Sequence, residues 1–163
     1  TDALAAFRAI AAANPGGLGR HGALDVAAPA RTGLVEAMAE AAGRDRIARQ
    51  SVSGFADVFE IGLPRLTALA DAEPEARTEA VHLAFMAAFP DSHIARKFGE
   101  ATAEEVRREA SSVAEAVDFR APAATRRAPL LAFDARLKAR GLNPGTSADL
   151  TVATLFAQAL LSP

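Results

Sequence analysis

Residues 143–149, Asn-Pro-Gly-Thr-Ser-Ala-Asp, combine several groups that bind anions. A helix that begins here presents unpaired backbone amides and a partial positive charge at its N-terminus. Gly145 lets the backbone approach a phosphate closely, and the hydroxyls of Thr146 and Ser147 add two donors. The same run has the form of an ordinary helix cap, in which Thr146 and Asp149 make a capping box. The sequence leaves an anion site and a plain cap as alternatives.

A second group of polar side chains lies in Asp-Ser-His-Ile-Ala-Arg-Lys, residues 91–97. In a short helix that follows Asp91, the side chains of His93, Arg96 and Lys97 share one face because they are three and four residues apart. An imidazole and two cations on one face suit a polyphosphate. The Asp91 carboxylate, at the cap, is suited to orient the imidazole or to bind a hard metal ion. The alternative is an exposed amphipathic helix with its large apolar residues turned inward.

The glycine-rich segment 14–25, Asn-Pro-Gly-Gly-Leu-Gly-Arg-His-Gly-Ala-Leu-Asp, is a third candidate for contact with a ligand. It is not a Walker A loop, because no Gly-Lys-Ser/Thr follows it. It is not a dinucleotide fingerprint either, because no strand precedes it. Its flexible glycines and its Arg20, His21 and Asp25 side chains suit a loop that covers a ligand, whereas the alternative is a plain turn.

These segments must be positioned by helices. Alanine is abundant and runs of β-branched residues are scarce, so the sequence predicts an all-α, compact bundle of about seven helices without a sheet. In the first half of the chain we expect a helix over 2–13 and a second helix from 33 that runs or kinks through Gly54 to about Glu60. A break at 62–64 and a short helix to about Ala70 follow. In the second half we expect a helix from about Pro74 to Phe89, one over 92–98, one opened by a Thr102–Glu105 capping box and ending near Phe119, a turn over 120–129, a helix ending at Gly141 and one over 148–161.

Composition narrows the class of protein. The 163 residues fit a single domain, half of them are apolar, and the net charge is −2. A nucleic-acid partner is not expected, because such partners need a basic face. The absence of cysteine excludes disulfides and thiolate metal sites. No apolar run approaches the ~20 residues of a membrane span, so we expect a cytoplasmic protein without a membrane partner.

Several of these segments together resemble one known family. The C-terminal run LNPGTSADLTVATLFAQAL is similar to the Pro-Gly-x-Ser-Ala-Asp-Leu signature of the triphosphoribosyl-dephospho-CoA synthase family. FPDSHIARKFG is similar to the Asp-(Ser/Thr)-x-x-x-Arg region of that family. AIAAANPGGLGRHGALDV and EAMAEAAGRDRIARQ resemble its archaeal-like branch of one-carbon metabolism. The resemblance spans nearly the whole chain, with the segments in the family's order.

The resemblance implies an all-helical enzyme that transfers a triphosphoribosyl group from ATP to 3′-dephospho-CoA or a related acceptor and releases adenine. Its substrates are small anionic nucleotides, with Mg²⁺ as the expected metal. The residues expected to carry the site are, for catalysis, Asp91, His93 and Asp149; for phosphate binding, Arg96, Lys97, Asn143, Gly145, Thr146, Ser147, Asn14, Gly16 and Gly17; and for Mg²⁺, Asp91 and Asp149.

The chain also departs from the family pattern. Members are typically longer and carry a Lys-Pro-Gly-Asn motif and an Asn-Thr motif, neither of which occurs here, and this chain begins at Thr1. We therefore expect residues 1–163 to be the C-terminal part of a longer family unit, with an incomplete active site. The rest would have been removed by cleavage, left out of this chain or supplied by a partner chain. The expected association is with that partner chain or, alternatively, in a homo-oligomer. The alternative function is a non-catalytic helical subunit that packs against a partner chain.

Overall fold

The computed structural model describes residues 33–161, and all of the regular structure in this range is helical, which confirms the predicted all-α class. None of the helices in this range is long and apolar enough to cross a membrane. The helices are α1 (Leu34–Ala41), α2 (Arg46–Ser53), a π-helix (Val58–Gly62), α3 (Leu63–Ala68), α4 (Pro74–Ala88), α5 (Ser92–Phe98), α6 (Glu100–Ala116), α7 (Ala123–Ala139) and α8 (Gly145–Leu161). The predicted helix over 2–13 lies outside the described residues.

The chain divides into two compact units, Thr1–Phe55 and Ala56–Pro163. That residues 1–163 form a single domain stays a prediction from the sequence. In the first unit α1 packs on α2, and Asp45 begins α2 because its carboxylate accepts hydrogen bonds from the amides of Ile47 (2.9 Å) and Ala48 (3.0 Å).

The predicted helix from residue 33 to about Glu60, continuous or kinked at Gly54, is wrong, because the chain forms two separate helices that end at Ala41 and at Ser53. Two successive residues, Gly54 (φ +66°) and Phe55 (φ +61°), adopt the left-handed conformation and end α2. Glycine adopts this conformation without steric cost, so it commonly follows the last turn of a helix. The chain then starts a new helical segment in the second unit.

That new segment contradicts another expectation, the break at 62–64. The π-helix continues directly into α3, and the amide of Leu63 donates to the carbonyl of Val58. Pro64 lies in the first turn of α3, where its missing N–H removes no necessary hydrogen bond. The proline therefore follows a change of helical pitch and does not end the helix.

Helix α4 is the centre of the second unit, since it packs against α6 on one side and against α3, the π-helix and α8 on another. Its buried residues divide between two apolar clusters. One cluster joins α4 to α5, α6 and α7; its members on α4 are Ala80, Leu83 and Met86. The other joins α4 to the π-helix, α3 and α8; its members on α4 are Val81 and Phe85.

Two predicted helix starts are displaced. Helix α6 begins at Glu100 after Gly99, and the Thr102 hydroxyl donates to the carbonyl of Phe98 (3.0 Å) instead of capping the helix. Helix α7 begins at Ala123 and runs through Pro129, so most of the predicted turn over 120–129 is helical.

An ion-pair cluster explains the early start of α7. The Arg126 side chain is fully buried, and its guanidinium binds Glu79 (Nε–Oε2 2.6 Å) and Glu73 (Nη1–Oε2 3.2 Å), which lie on and just before α4. Its Nη1 also donates to the carbonyl of Ala121 (3.0 Å). These bonds attach the first turn of α7 to α4, which offsets the hydrogen bond that Pro129 lacks.

Candidate functional site

The two polar segments singled out by the sequence meet in the structure. Asp91 precedes α5, and α8 begins at Gly145. The hydroxyls of Ser92 and Thr146 lie 2.8 Å apart, and the amide of Ser147 lies 2.8 Å from the Asp91 carboxylate. The N-termini of α5 and α8 therefore lie side by side, with hydroxyls and a carboxylate between them.

Asp91 caps both helices with one carboxylate. Its Oδ1 accepts from the amides of His93 (3.0 Å) and Ile94 (3.3 Å) on its own helix. Its Oδ2 accepts from the amide (2.8 Å) and the hydroxyl (2.9 Å) of Ser147 on α8. Each oxygen thus has two donors, which uses the acceptor capacity of the group, and the side chain is buried at 3 % exposure. A buried negative charge here is stabilised by the positive ends of two helices.

Thr146 strengthens the same junction. Its buried hydroxyl oxygen accepts from the amide of His93 (3.2 Å) and shares a hydrogen bond with Ser92. The predicted start of this helix at about residue 148 is three residues late, because α8 begins at Gly145 and Thr146 lies in its first turn. The amide of Gly145 donates to the carbonyl of Asn143 (2.9 Å). The backbone donors at Gly145 and Ser147 are therefore engaged within the protein.

His93 lies against the start of α8. Its Nδ1 accepts a hydrogen bond from Nη2 of Arg96 (3.3 Å), so a neutral ring carries its proton on Nε2. That Nε2 is buried and has no hydrogen-bond partner in the described part of the chain. A Cβ atom on Gly145 would lie 3.3 Å from Cγ of the His93 ring, so the absence of a side chain at 145 makes room for the imidazole.

The remaining predicted residues of the two segments are exposed. Arg96 and Lys97 lie in the last turn of α5, Asp149 lies in the first turns of α8, and Asn143 precedes that helix. Asn14, Gly16 and Gly17 lie outside the described residues. The structure thus brings Asp91, His93, Arg96 and residues 145–147 into one connected group.

The structure adds His82 to this group, a residue that the sequence patterns of the two segments do not include. Its Nδ1 lies 3.3 Å from the Thr151 hydroxyl, which itself donates to the carbonyl of Ser147 (2.7 Å). Burial lowers the pKa of His82, while the carbonyl of Ser147 and the charge of Asp91 act to raise it. Ser147 and Thr151 are four residues apart, so their hydroxyls share one face of α8. This spacing is the signal in the sequence that α8 has a buried polar face.

Few side chains at this site are placed to bind a metal ion. Within residues 33–161 no group of three or more histidine, aspartate and glutamate side chains is arranged to hold one. Mg²⁺ commonly binds one or two carboxylates together with substrate phosphates, and the exposed Asp149 fits that pattern. Asp91 fits it less well, because four donors already occupy its two oxygens. Magnesium binding stays a prediction.

Comparison with known protein families gives a match over the whole chain. The family model described as CitG, ATP:dephospho-CoA triphosphoribosyl transferase, matches residues 1–163. No curated protein and no solved structure matches the chain significantly.

Proposed function

This chain belongs to the ATP:dephospho-CoA triphosphoribosyl transferase family, and from that membership we propose that it transfers the triphosphoribosyl group of ATP to a hydroxyl of 3′-dephospho-CoA or a related acceptor. The bond between the ribose anomeric carbon and adenine breaks, and a bond from that carbon to the acceptor oxygen forms. The hydroxyl loses a proton, and adenine leaves with a proton gained.

This reaction sets three requirements on the protein. The triphosphate must be held in place, the positive charge that develops at the anomeric carbon must be stabilised, and the acceptor hydroxyl must lose its proton. Two anionic substrates must therefore meet at a surface that carries cations and a base.

The observation that carries the proposal is the meeting of α5 and α8 at Asp91 and Ser147, with Arg96 and Lys97 exposed on α5. The Arg96 guanidinium offers a planar fork to phosphate oxygens, and the Lys97 ammonium offers a point charge. Asn143, Thr146 and the segment around Gly145 remain proposed contacts for the substrate. Asn14, Gly16 and Gly17 are proposed contacts on the basis of family resemblance alone.

We propose His93 as the general base. It lies at the junction of the two helices, and its Nδ1 becomes free to accept the proton of the acceptor hydroxyl when the Arg96 guanidinium, which bonds Nδ1 at 3.3 Å, turns to the triphosphate. The proton on the buried Nε2 leaves the lone pair of the neutral ring on Nδ1, the nitrogen that faces Arg96. Asp149 is proposed to hold Mg²⁺ with the triphosphate, where the ion would neutralise phosphate charge.

The test is adenine release from Mg-ATP in the presence of 3′-dephospho-CoA, measured on this chain and on the full-length gene product. Arg96→Ala combined with Lys97→Ala should raise the KM for ATP by about tenfold or more, because charge-assisted hydrogen bonds are lost. Lys138→Ala is the matched control, since Lys138 is an exposed cation paired with Asp134 on α7, a helix outside the candidate site. Absence of adenine release from both proteins would refute the transferase function.

One observation favours the non-catalytic function as the second candidate. Helix α8 exposes large apolar side chains at helical spacing: Val152 (66 % exposed), Phe156 (64 %) and Leu160 (69 %). Apolar stripes of this kind are typical of surfaces that pack against a partner. Under this function Phe156→Glu would abolish association measured by analytical ultracentrifugation, and neither Asp149→Ala nor His93→Gln would change any measured activity.

A further inference from the structure

We infer that Asp91 is a positioning residue, which fixes the N-terminus of α8 against α5 and so places Gly145 and Thr146 beside His93. In this role the carboxylate neither binds the metal ion nor exchanges a proton during the reaction. The catalytic consequence rests on the proposed transferase function, whereas the attachment of α8 by Asp91 does not.

The hydrogen-bond capacity of the carboxylate is the first argument. Both oxygens of Asp91 accept two hydrogen bonds, at distances from 2.8 to 3.3 Å. A metal ion or a proton on either oxygen would displace an amide or a hydroxyl donor. Three of these four donors belong to Ser147 and Ile94, which are both fully buried, and a buried donor without a partner is costly.

The arrangement of the apolar core is the second, independent argument. The buried large apolar residue of α5, Ile94, belongs to the cluster with α6 and α7, whereas Leu150 of α8 belongs to the cluster with α3 and the π-helix. These two residues therefore lie in different apolar clusters, each of which also contains residues of α4. The direct polar contacts between the two helix N-termini are the bonds from Asp91 to Ser147 and from Thr146 to the Ser92 hydroxyl and the His93 amide.

This role also changes the expected source of phosphate affinity. The amide of Ser147 and the amides at the start of α5 are occupied by Asp91, and its negative charge offsets the positive ends of both helices. The triphosphate then depends on side-chain cations, of which Arg96 is bonded to His93 at the junction itself.

The experiment compares Asp91→Asn with Asp149→Asn in the full chain. An asparagine at 91 keeps one acceptor oxygen and places an NH₂ donor opposite the donors of the partner helix. Hydrogen exchange of the Ser147 amide, followed by NMR, should accelerate by about tenfold or more in Asp91→Asn. Asp149→Asn is the control for loss of a carboxylate on the same helix, and the exchange of Ser147 should stay as in the wild type.

Kinetic measurements distinguish a positioning role for Asp91 from a role as metal ligand or as general base. For Asp91→Asn we expect a lower kcat with the same Mg²⁺ concentration for half-maximal activity and the same pH profile. A higher Mg²⁺ requirement would make Asp91 a metal ligand, and loss of the acidic limb of the profile would make it the base; either result overturns the inference. Unchanged exchange at Ser147 overturns it as well.

A milder variant covers the case in which Asp91→Asn does not fold. Ser147→Ala removes the hydroxyl bond to Asp91 and keeps the amide bond, so it should accelerate exchange at residue 147 without changing the Mg²⁺ requirement. Should the wild type release no adenine, the transferase function fails, and the exchange data alone still decide whether Asp91 attaches α8.

Discussion

Gly62 and Thr154 lie in direct contact where the π-helix packs against α8. A Cβ atom on Gly62 would overlap the Thr154 hydroxyl and would lie 2.7 Å from its Cγ2 and 2.9 Å from Cζ of Phe85. Thr154 and Phe85 are fully buried, so neither side chain can move into solvent. The close approach of these two elements therefore requires a residue without a side chain at position 62.

Gly62→Ala should lower the free energy of unfolding by about 2–3 kcal/mol, because extra atoms in a packed core force side chains and backbone apart. Urea denaturation measures the change. Gly43→Ala is the control, since a Cβ atom there meets nothing within 4 Å and its effect should stay within about 0.5 kcal/mol.

Thr154→Ala should partly rescue Gly62→Ala. The substitution removes both Thr154 atoms that the new methyl group would meet, although Phe85 remains close. A double-mutant cycle should give a coupling of about 1 kcal/mol or more in the stabilising direction. Additive effects of the two substitutions would contradict the direct contact.

Arg126→Ala should destabilise the protein by about 3 kcal/mol or more. The fully buried guanidinium pairs with Glu79 and Glu73, and removing one member leaves Glu79, only 24 % exposed, without its shortest ion pair. Chemical denaturation provides the measurement. Arg120→Ala removes an exposed pair with Asp71 and is the matched control, expected to have a far smaller effect.

The pKa of His82 predicts a pH dependence of stability. Burial holds this pKa below its ordinary value of 6.5, so below that pH the unfolded chain binds a proton that the native chain does not. The free energy of unfolding should therefore fall as the pH falls below about 6.5, and level off once the pH is below the native pKa. His82→Gln should make this loss smaller between pH 7 and pH 5, as followed by urea denaturation at each pH.

Exposed acids do not account for the same window. Hydrogen bonds from Arg120 and Arg107 lower the pKa values of Asp71 and Glu104, so any stability from these groups is present above about pH 4 and is lost below it. An identical pH profile for His82→Gln and the wild type between pH 7 and pH 5 would contradict the assignment to His82.

Gly145→Ala tests the role proposed for His93. The new methyl group would lie 3.3 Å from Cγ of the ring, which is close enough to displace the imidazole slightly. Stability should change by no more than about 1 kcal/mol, since alanine suits the first turn of a helix. The kcat for adenine release should fall by about tenfold, because catalytic groups are sensitive to small displacements. In a His93→Gln background the same substitution should have no further effect on kcat.

The amino-acid sequence was sufficient for the features that depend on neighbouring residues. Asp91 as the cap of a short helix over 92–98 and Pro74 at the start of α4 were both predicted from the sequence, and the structure confirms them. Each depends on hydrogen bonds or backbone angles within about four residues, so residue type and spacing determine it. The all-α class follows from the same local preferences, repeated along the chain.

Only the tertiary structure decided which distant groups meet. The second partner of Asp91 is Ser147, 56 residues away in the chain, and the start of α7 depends on Arg126 binding glutamates next to and within α4. The glycine at 62 was expected to break a helix, yet it allows the π-helix to pack against Thr154. These contacts arise because apolar burial brings helices together from separate parts of the chain, and buried polar groups must then find partners across the new interfaces, which local spacing does not encode.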